Sequence, residues 1–362
     1  MKILVLVPSL QEKGPVIVAE SIAKFSNDTN LKYIFVSLRN NTMEDQYRFL
    51  NHRIEIHQLG MGKFPLPKDI RKIKEIVNKI SPDVIHVHSF WPTILASQYL
   101  LDYNTLVTLH SNTIEDLKFD YGNAIGRIMA FVFFKALKKF NRIVAVSQYV
   151  KDCHVGYNSD LKSISIINNG IEDRFISFNF NNNDGRLNLL SISVLNKVKN
   201  IYKSLEIIKL LRDRNIKVYY RIIGDGPERE NIEAFVRVNG LEDMVKIEGK
   251  VNRSDVFNFI NESDALIFTS LSEGFGLVVV ESMMMGKPAI VSNISVMTEI
   301  IDNQIDGIIA TNNNDFINGI YKLINKEEYK MLSFNSREKY LKKFTAKKMT
   351  EAYEREYFKM IH

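Results

Sequence analysis

The feature that most limits what this chain can fold into is its rhythm. Short apolar runs alternate with longer segments of helical period along almost all of it. Ile3–Val7 is an apolar run and Val16–Phe25 reads as a helix. Tyr33–Leu38 is a strand, Lys68–Ile80 a basic amphipathic helix, Asp83–His88 a strand and Thr93–Leu101 a helix. Leu106–His110, a longer helix over Tyr121–Phe140 and the strand Arg142–Ser147 follow. Buried strands read as brief apolar stretches, and helices as longer periodic ones. Their regular alternation predicts an α/β fold, a parallel sheet with helices on both faces.

The rhythm breaks near Phe175. Residues Phe178–Arg186 are polar, rich in Asn and end in Asp-Gly-Arg, a linker signal. It then restarts, with strands over Leu187–Leu195, Val218–Gly224, Val245–Glu248, Ala265–Thr269 and Ala289–Ser292. Helices over Tyr202–Arg214, Arg229–Val238 and Ser254–Asn261 lie between them, and the chain from Asn314 reads as mainly helical. At 362 residues, two domains are expected. The boundaries fall at 1–176 and 187–345, and a last helix over 346–362 is free to cross back to the first domain. Each domain is Rossmann-like, with a cleft expected between them and ligands at the carboxyl ends of the strands. No short sequence repeat is present.

Composition narrows the function classes. A single cysteine, Cys153, excludes an intrachain disulfide and fits a reducing compartment. No signal pattern precedes Ile3, and no apolar run approaches the roughly 18 residues of a membrane span. A cytoplasmic protein is expected. The net charge of +6 is concentrated in residues 1–180, which hold 22 Lys/Arg against 17 Asp/Glu. No basic block interleaved with aromatics marks a nucleic-acid site. An anionic substrate or membrane surface fits the charge, as does an ordinary solvated face.

After Ile3–Val7 there is no Gly-x-Gly-x-x-Gly, only Lys13-Gly14-Pro15, which argues against a nicotinamide enzyme. Gly14 leaves room for a phosphate at a helix start. No Asp-x-Asp and no His/Cys/Glu cluster of ligand spacing occurs, so no metal site is signalled. A diphosphate would then meet cations and helix amides. The stretch Ser272–Asn293 offers such amides: Glu273, then Gly274-Phe275-Gly276-Leu277 opening an apolar helix that carries Glu281, then Gly286-Lys287-Pro288. The first amides of a helix have no intrahelical partner. A buried Glu281 needs a hydrogen-bond donor, for which a ribose diol is one candidate. The plainer alternative is a helix-start acid at Glu273 and a half-exposed Glu281.

Glu-x7-Glu with Gly-Phe-Gly between, followed by Gly-Lys-Pro, resembles the retaining glycosyltransferases of the GT-B fold, and most of all bacterial glycosyltransferase family 4. Asp83–His88, Thr108-Leu109-His110, Ala145-Val146-Ser147, Asn169-Gly170-Ile171 and Gly224-Asp225-Gly226-Pro227 resemble further segments of that family, in order. The resemblance implies a nucleotide sugar, UDP- or GDP-linked, bound mainly by the second domain, with the acceptor on the first and no cofactor. It implies that Glu281 holds the ribose, that Glu273 and the amides of Gly274 to Leu277 (Phe275 and Gly276 included) face sugar and diphosphate, and that Lys199 contacts the diphosphate. His110 would meet the sugar from the first domain, and Gly14 the phosphate. Retention without a placed nucleophile implies front-face attack, in which the leaving phosphate accepts the acceptor's proton.

Two positions depart from the family's pattern. Val194 stands where an Arg is usual, with Lys197 nearby as a substitute of different geometry. Lys13-Gly14 replaces Gly-Gly. On the acceptor side, His88 and Trp91 are candidates for a pocket in which Trp91 stacks on a sugar, and His86 reads as a core histidine. Phe131–Arg142 mixes apolar and basic residues, as a core helix with a wet edge does, and as a surface for anionic membrane and a lipid-linked acceptor does. The expected function is transfer of a sugar to a glycan or lipid-linked acceptor in cell-surface polysaccharide synthesis, with a peripheral place at the inner membrane face as one version. The alternatives are a non-catalytic subunit or sugar-nucleotide-binding protein, motivated by Val194, and a sugar-nucleotide epimerase.

Overall fold

A computed structural model describes residues 1–52, 54–62, 65–161, 163–178 and 185–361. The chain divides into two compact units: Met1–Glu172 together with the segment from Thr345, and Asp173–Phe344. Most of the expected linker, residues 179–184, lies outside the described residues.

The first unit holds seven strands: β1 (Lys2–Val7), β2 (Lys32–Ser37), β3 (Glu55–Gln58), β4 (Val84–His88), β5 (Asn104–Leu109), β6 (Arg142–Ala145) and β7 (Ile164–Ile166). They form one sheet in the order β3-β2-β1-β4-β5-β6-β7, with every pairing parallel. The second unit repeats the plan with β8 (Leu187–Ile192), β9 (Val218–Ile223), β10 (Val245–Gly249), β11 (Ala265–Phe268), β12 (Ala289–Ser292) and β13 (Ile308–Ala310). Its order is β10-β9-β8-β11-β12-β13, again parallel. This is the α/β architecture expected from the alternation. Central strands are apolar on both faces because helices cover both: Ile3 to Val7 and Ala265 to Phe268 are all buried.

Strand order reverses beside β1 in one sheet and beside β8 in the other. The carboxyl ends of β1 and β4, and of β8 and β11, therefore flank the two crevices where such sheets bind ligands. Gly14, Thr108–His110, Lys199, Gly224–Pro227 and Glu273 follow these strands or their neighbours, whereas Ala145–Ser147 and Asn169–Ile171 follow β6 and β7, further out in the first sheet.

Several elements differ from expectation. The helix expected over Tyr121–Phe140 is Asn123–Leu137, and a helix that the sequence did not announce, Thr113–Tyr121, precedes it, the two parted by Gly122 at φ +81°. The strand expected over Leu187–Leu195 stops at Ile192, and Ser193 to Leu195 pack against the loop after β9. A Cβ on Gly224 would stand 1.8 Å from the Ser193 carbonyl oxygen, and one on Gly226 2.4 Å from that of Leu195. The Gly-Asp-Gly motif is thus a backbone-on-backbone contact that only glycine permits. Gly170 has the same reason: its Cβ would stand 2.3 Å from the Thr345 carbonyl oxygen.

The last helix, Ala346–Phe358, packs within the first unit, against helix Gly14–Lys24. Its buried Tyr353 and Tyr357 reach Thr108 (3.1 Å) and His86 (2.7 Å). Among the described residues no helix is long and apolar enough to cross a membrane.

Candidate active site

In the second unit, β8 leads into a 3-10 turn, Lys197–Lys199, capped by Asn196, whose Oδ1 accepts from the Lys199 amide at 3.1 Å. The turn is tied to the end of β11 by Leu271 N donating to Val198 O (2.8 Å) and Thr269 Oγ1 donating to Asn200 O (3.0 Å). This fixes Lys199 opposite Glu273, and the ammonium and the carboxylate Oε2 form an ion pair, each side chain about one-fifth exposed. The two residues that the resemblance sets around diphosphate and sugar therefore meet. Lys197 is exposed and unpaired among the described residues, and Val194 is 58% exposed on the same loop.

Gly276 caps the helix Leu277–Met284 at φ +89°, a left-handed backbone that a Cβ would strain and drive to 2.6 Å from Met297 Cε. The Phe275 side chain is buried and packs edge-on against Phe344, so only its backbone faces outward chemistry. The helix ends at Gly286, φ +65°, and Lys287 is buried, which pulls its pKa down to about 8.

Glu281 is 1% exposed, so the plainer alternative of a half-exposed carboxylate does not hold. Its Oε1 accepts from Arg253, at the start of helix Arg253–Glu262. Sequence reading missed Arg253. A signal was present: a cation in the first turn opposes the helix dipole, so its place there wants a reason.

In the first unit, β4 and β5 align His88 with Thr108, so that His110 follows directly beside His88. His86 is a core residue, as read: both ring nitrogens meet hydroxyls, Tyr357 and Thr108, each at 2.7 Å. His88 is fully buried and its Nδ1 meets His110 Nε2 at 2.8 Å. It therefore lines no open pocket, against expectation, and its contact toward the site is through His110. His110 is half-buried, and desolvation holds its pKa down to about 3; His86 and His88 are held well below the usual histidine range by the same cause. All three are neutral imidazoles at neutral pH.

Trp91 is half-buried on helix Phe90–Tyr99, edge-on to Phe90. The helix cap, Ser89, takes φ +73°, an uncommon conformation of the kind that clusters at functional sites. Gly14 is the first residue of helix Gly14–Lys24, after β1, as expected for an approach to a helix start. Among the described residues no group of three or more His, Cys, Asp or Glu side chains could hold a metal ion.

The description "Glycosyl transferases group 1" matches residues 172–340, and "Glycosyltransferase Family 4" matches residues 30–175. An uncharacterized glycosyltransferase of Methanocaldococcus jannaschii is 29% identical over 76% of this chain and 75% of its own. The O-antigen biosynthesis glycosyltransferase WclY of Escherichia coli is 27% identical over 99% and 98%. The crystal structure of HepE from Anabaena, in complex with UDP and glucose, superimposes with a TM-score of 0.83 over 98% of this chain and 99% of that one, at 16% identity.

Proposed function

Starting from a chain that is a GT-B glycosyltransferase resembling family 4, we propose that it takes a hexosyl or related sugar from a nucleotide sugar and transfers it with retention of anomeric configuration. The acceptor in this reading is a glycan or lipid-linked saccharide of polysaccharide synthesis, the setting in which its relative WclY works. The observation that carries the reading is the pairing of Lys199 with Glu273 at the carboxyl ends of β8 and β11, next to the glycine-capped helix that buries Glu281. Breaking the bond between anomeric carbon and diphosphate builds negative charge on phosphate and positive charge on the sugar ring. An ammonium and a carboxylate held together match both signs. A diphosphate carries more negative charge than Glu273 and competes for Lys199, which turns the carboxylate toward the sugar.

Glu281 holds the ribose in this scheme, and the amides of Gly274 to Leu277 face the diphosphate. Gly14 and His110 are the first unit's contributions, to phosphate and sugar. Phosphate neutralisation rests on Lys199 and helix amides, with no metal and no cofactor, and Lys197 stands in for the family's Arg at Val194. Trp91 serves the acceptor. Attack comes from the leaving-group face, and the departing phosphate takes the acceptor's proton. The test is incubation of the purified chain with UDP- and GDP-sugars and acceptor extracts. Release of nucleoside diphosphate with a labelled product, lost in Glu281→Ala, supports transfer. Binding of nucleotide without turnover supports the non-catalytic reading.

We also propose that the protein works at the inner face of the membrane. The support is an outward stripe on helix Asn123–Leu137: Ile125 (57% exposed), Ile128 (66%) and Phe131 (60%). It adjoins a cavity of about 410 Å³ with Ile114 and Phe134 inside and Arg127, Lys135, Lys118 and Lys138 around it. Within the segment Phe131–Arg142, Phe133, Phe134, Leu137 and Phe140 are core, so the apolar surface lies further toward the helix start. Apolar residues ringed by cations suit an anionic bilayer and disfavour a second copy of the same basic face. Flotation with anionic vesicles that is reduced in Ile128→Asp supports this; no flotation of the native chain sinks it.

A further inference from the structure

The ion pair between Arg253 and Glu281 is locally costly in two respects. Arg253 opens helix Arg253–Glu262, where the dipole disfavours a cation. Glu281 is a carboxylate almost wholly removed from water, and buried ion pairs contribute little stability relative to apolar packing. Local rules broken together at one place mark a functional contact more often than a structural one.

The geometry leaves half of each partner unused. Only Oε1 of Glu281 is engaged; among the described residues Oε2 has no partner. A guanidinium carries five N–H donors, and among the described residues this one hydrogen-bonds only Glu281 and lies over the Phe257 ring at 5.3 Å. Its side chain is 30% exposed, against 1% for Glu281. One acceptor oxygen and several donors are thus held side by side at the helix Leu277–Met284, with the charged donor on the water side.

A vicinal diol has the complementary pattern. Each of its hydroxyls donates one hydrogen bond and accepts others. Oε2 takes the proton of one hydroxyl, while the guanidinium donates to a hydroxyl oxygen. A carboxylate alone satisfies only the donors of a diol. We propose that Arg253 is a second ribose-reading residue, which orients Glu281 through Oε1 and hydrogen-bonds the ribose with its remaining donors. This rests on the reading of Glu281 as the ribose ligand and adds to it a residue that discriminates ribose from deoxyribose.

The test is isothermal calorimetry with UDP, GDP and their 2′-deoxy counterparts on the native chain and on Arg253→Ala, Arg253→Lys and Glu281→Gln, with urea midpoints confirming that each variant is folded. The native chain binds the ribonucleotide more tightly than its deoxy counterpart. Arg253→Ala weakens the ribonucleotide about tenfold, leaves the deoxy form nearly unchanged and so erases the preference. Arg253→Lys, which keeps a charge but not the fork, restores only part of it. The proposal is overturned if Arg253→Ala binds the ribonucleotide as tightly as the native chain or more tightly. It is also overturned if the variant loses the same factor for both sugars, which a merely structural ion pair predicts. If Glu281→Gln weakens the ribonucleotide while Arg253→Ala does not, Arg253 falls and the reading of Glu281 stands. If neither substitution matters, both fall.

Discussion

Acidification is predicted to destabilise the first unit, because its buried histidines are held neutral. His86, His88 and His154 are each at most 1% exposed. Desolvation keeps His86 and His88 well below the usual range and takes His154 down to about 4. In an unfolded chain each titrates near 6.5. A histidine with a depressed folded pKa stabilises the fold above pH 6.5, and that contribution is lost as pH falls toward the folded value, since only the unfolded state takes up the proton. Between pH 8 and pH 5 the loss is about 2 kcal/mol per residue, or about 6 kcal/mol for three. His110 is left out of this sum because it is half-exposed. Glu20 works the other way: burial raises its pKa to about 7 although Arg48 stands 2.8 Å away, and its protonation returns about 2 kcal/mol. The net loss is about 4 kcal/mol. With a urea slope of about 2 kcal/mol/M, the unfolding midpoint of the first unit drops by about 2 M. Trp91 is the only tryptophan and lies in that unit, so its fluorescence reports this transition separately from the second unit. His154→Gln should remove about one-third of the histidine contribution to the pH slope. A midpoint that does not move between pH 8 and pH 5, or that rises, would refute the reasoning.

Other substitutions test single contacts. Tyr357→Phe leaves a buried His86 nitrogen unpaired and should cost about 1–3 kcal/mol in urea unfolding followed by Trp91; an unchanged midpoint would show that the bond is dispensable. Gly224→Ala forces a Cβ into the Ser193 carbonyl at a φ of +134°, and should destabilise the second unit by at least as much as a typical core truncation, about 2–5 kcal/mol, seen as a lowered thermal midpoint. Lys199→Ala should cut turnover by about a hundredfold or more with a smaller effect on nucleotide affinity; a variant with native turnover would remove Lys199 from the charge-stabilising role.

Much of the fold was legible because parallel strands covered on both faces are continuous apolar runs. Ile3–Val7, Asp83–His88 and Ala265–Thr269 could be read directly. Of the edge strands only β10 was legible: β3 is Glu-Ile-His-Gln, half-buried throughout, and β7 and β13 are three residues each. The helix Thr113–Tyr121 was not legible, because Glu115, Asp116, Lys118 and Asp120 leave it with little apolar periodicity. The glycine-capped helix followed from local order in the sequence, whereas the burial of Glu281, left open there, is decided by the fold. The partner of Glu281 did not, because Arg253 lies 28 residues earlier and meets it only through packing of two helices. The contact of His88 with His110 likewise depends on the register of β4 against β5 and on no local pattern.

The stereochemistry of the product tests the central claim most directly. A nucleotide sugar of known anomeric configuration, the native chain and an acceptor that it uses would be followed by proton NMR from the first turnovers, before any mutarotation of free sugar. Attack on the leaving-group face, with the phosphate as base, predicts a product whose new linkage keeps the donor's anomeric configuration. An inverted linkage would contradict the assignment of Glu273 and Lys199 to front-face transfer.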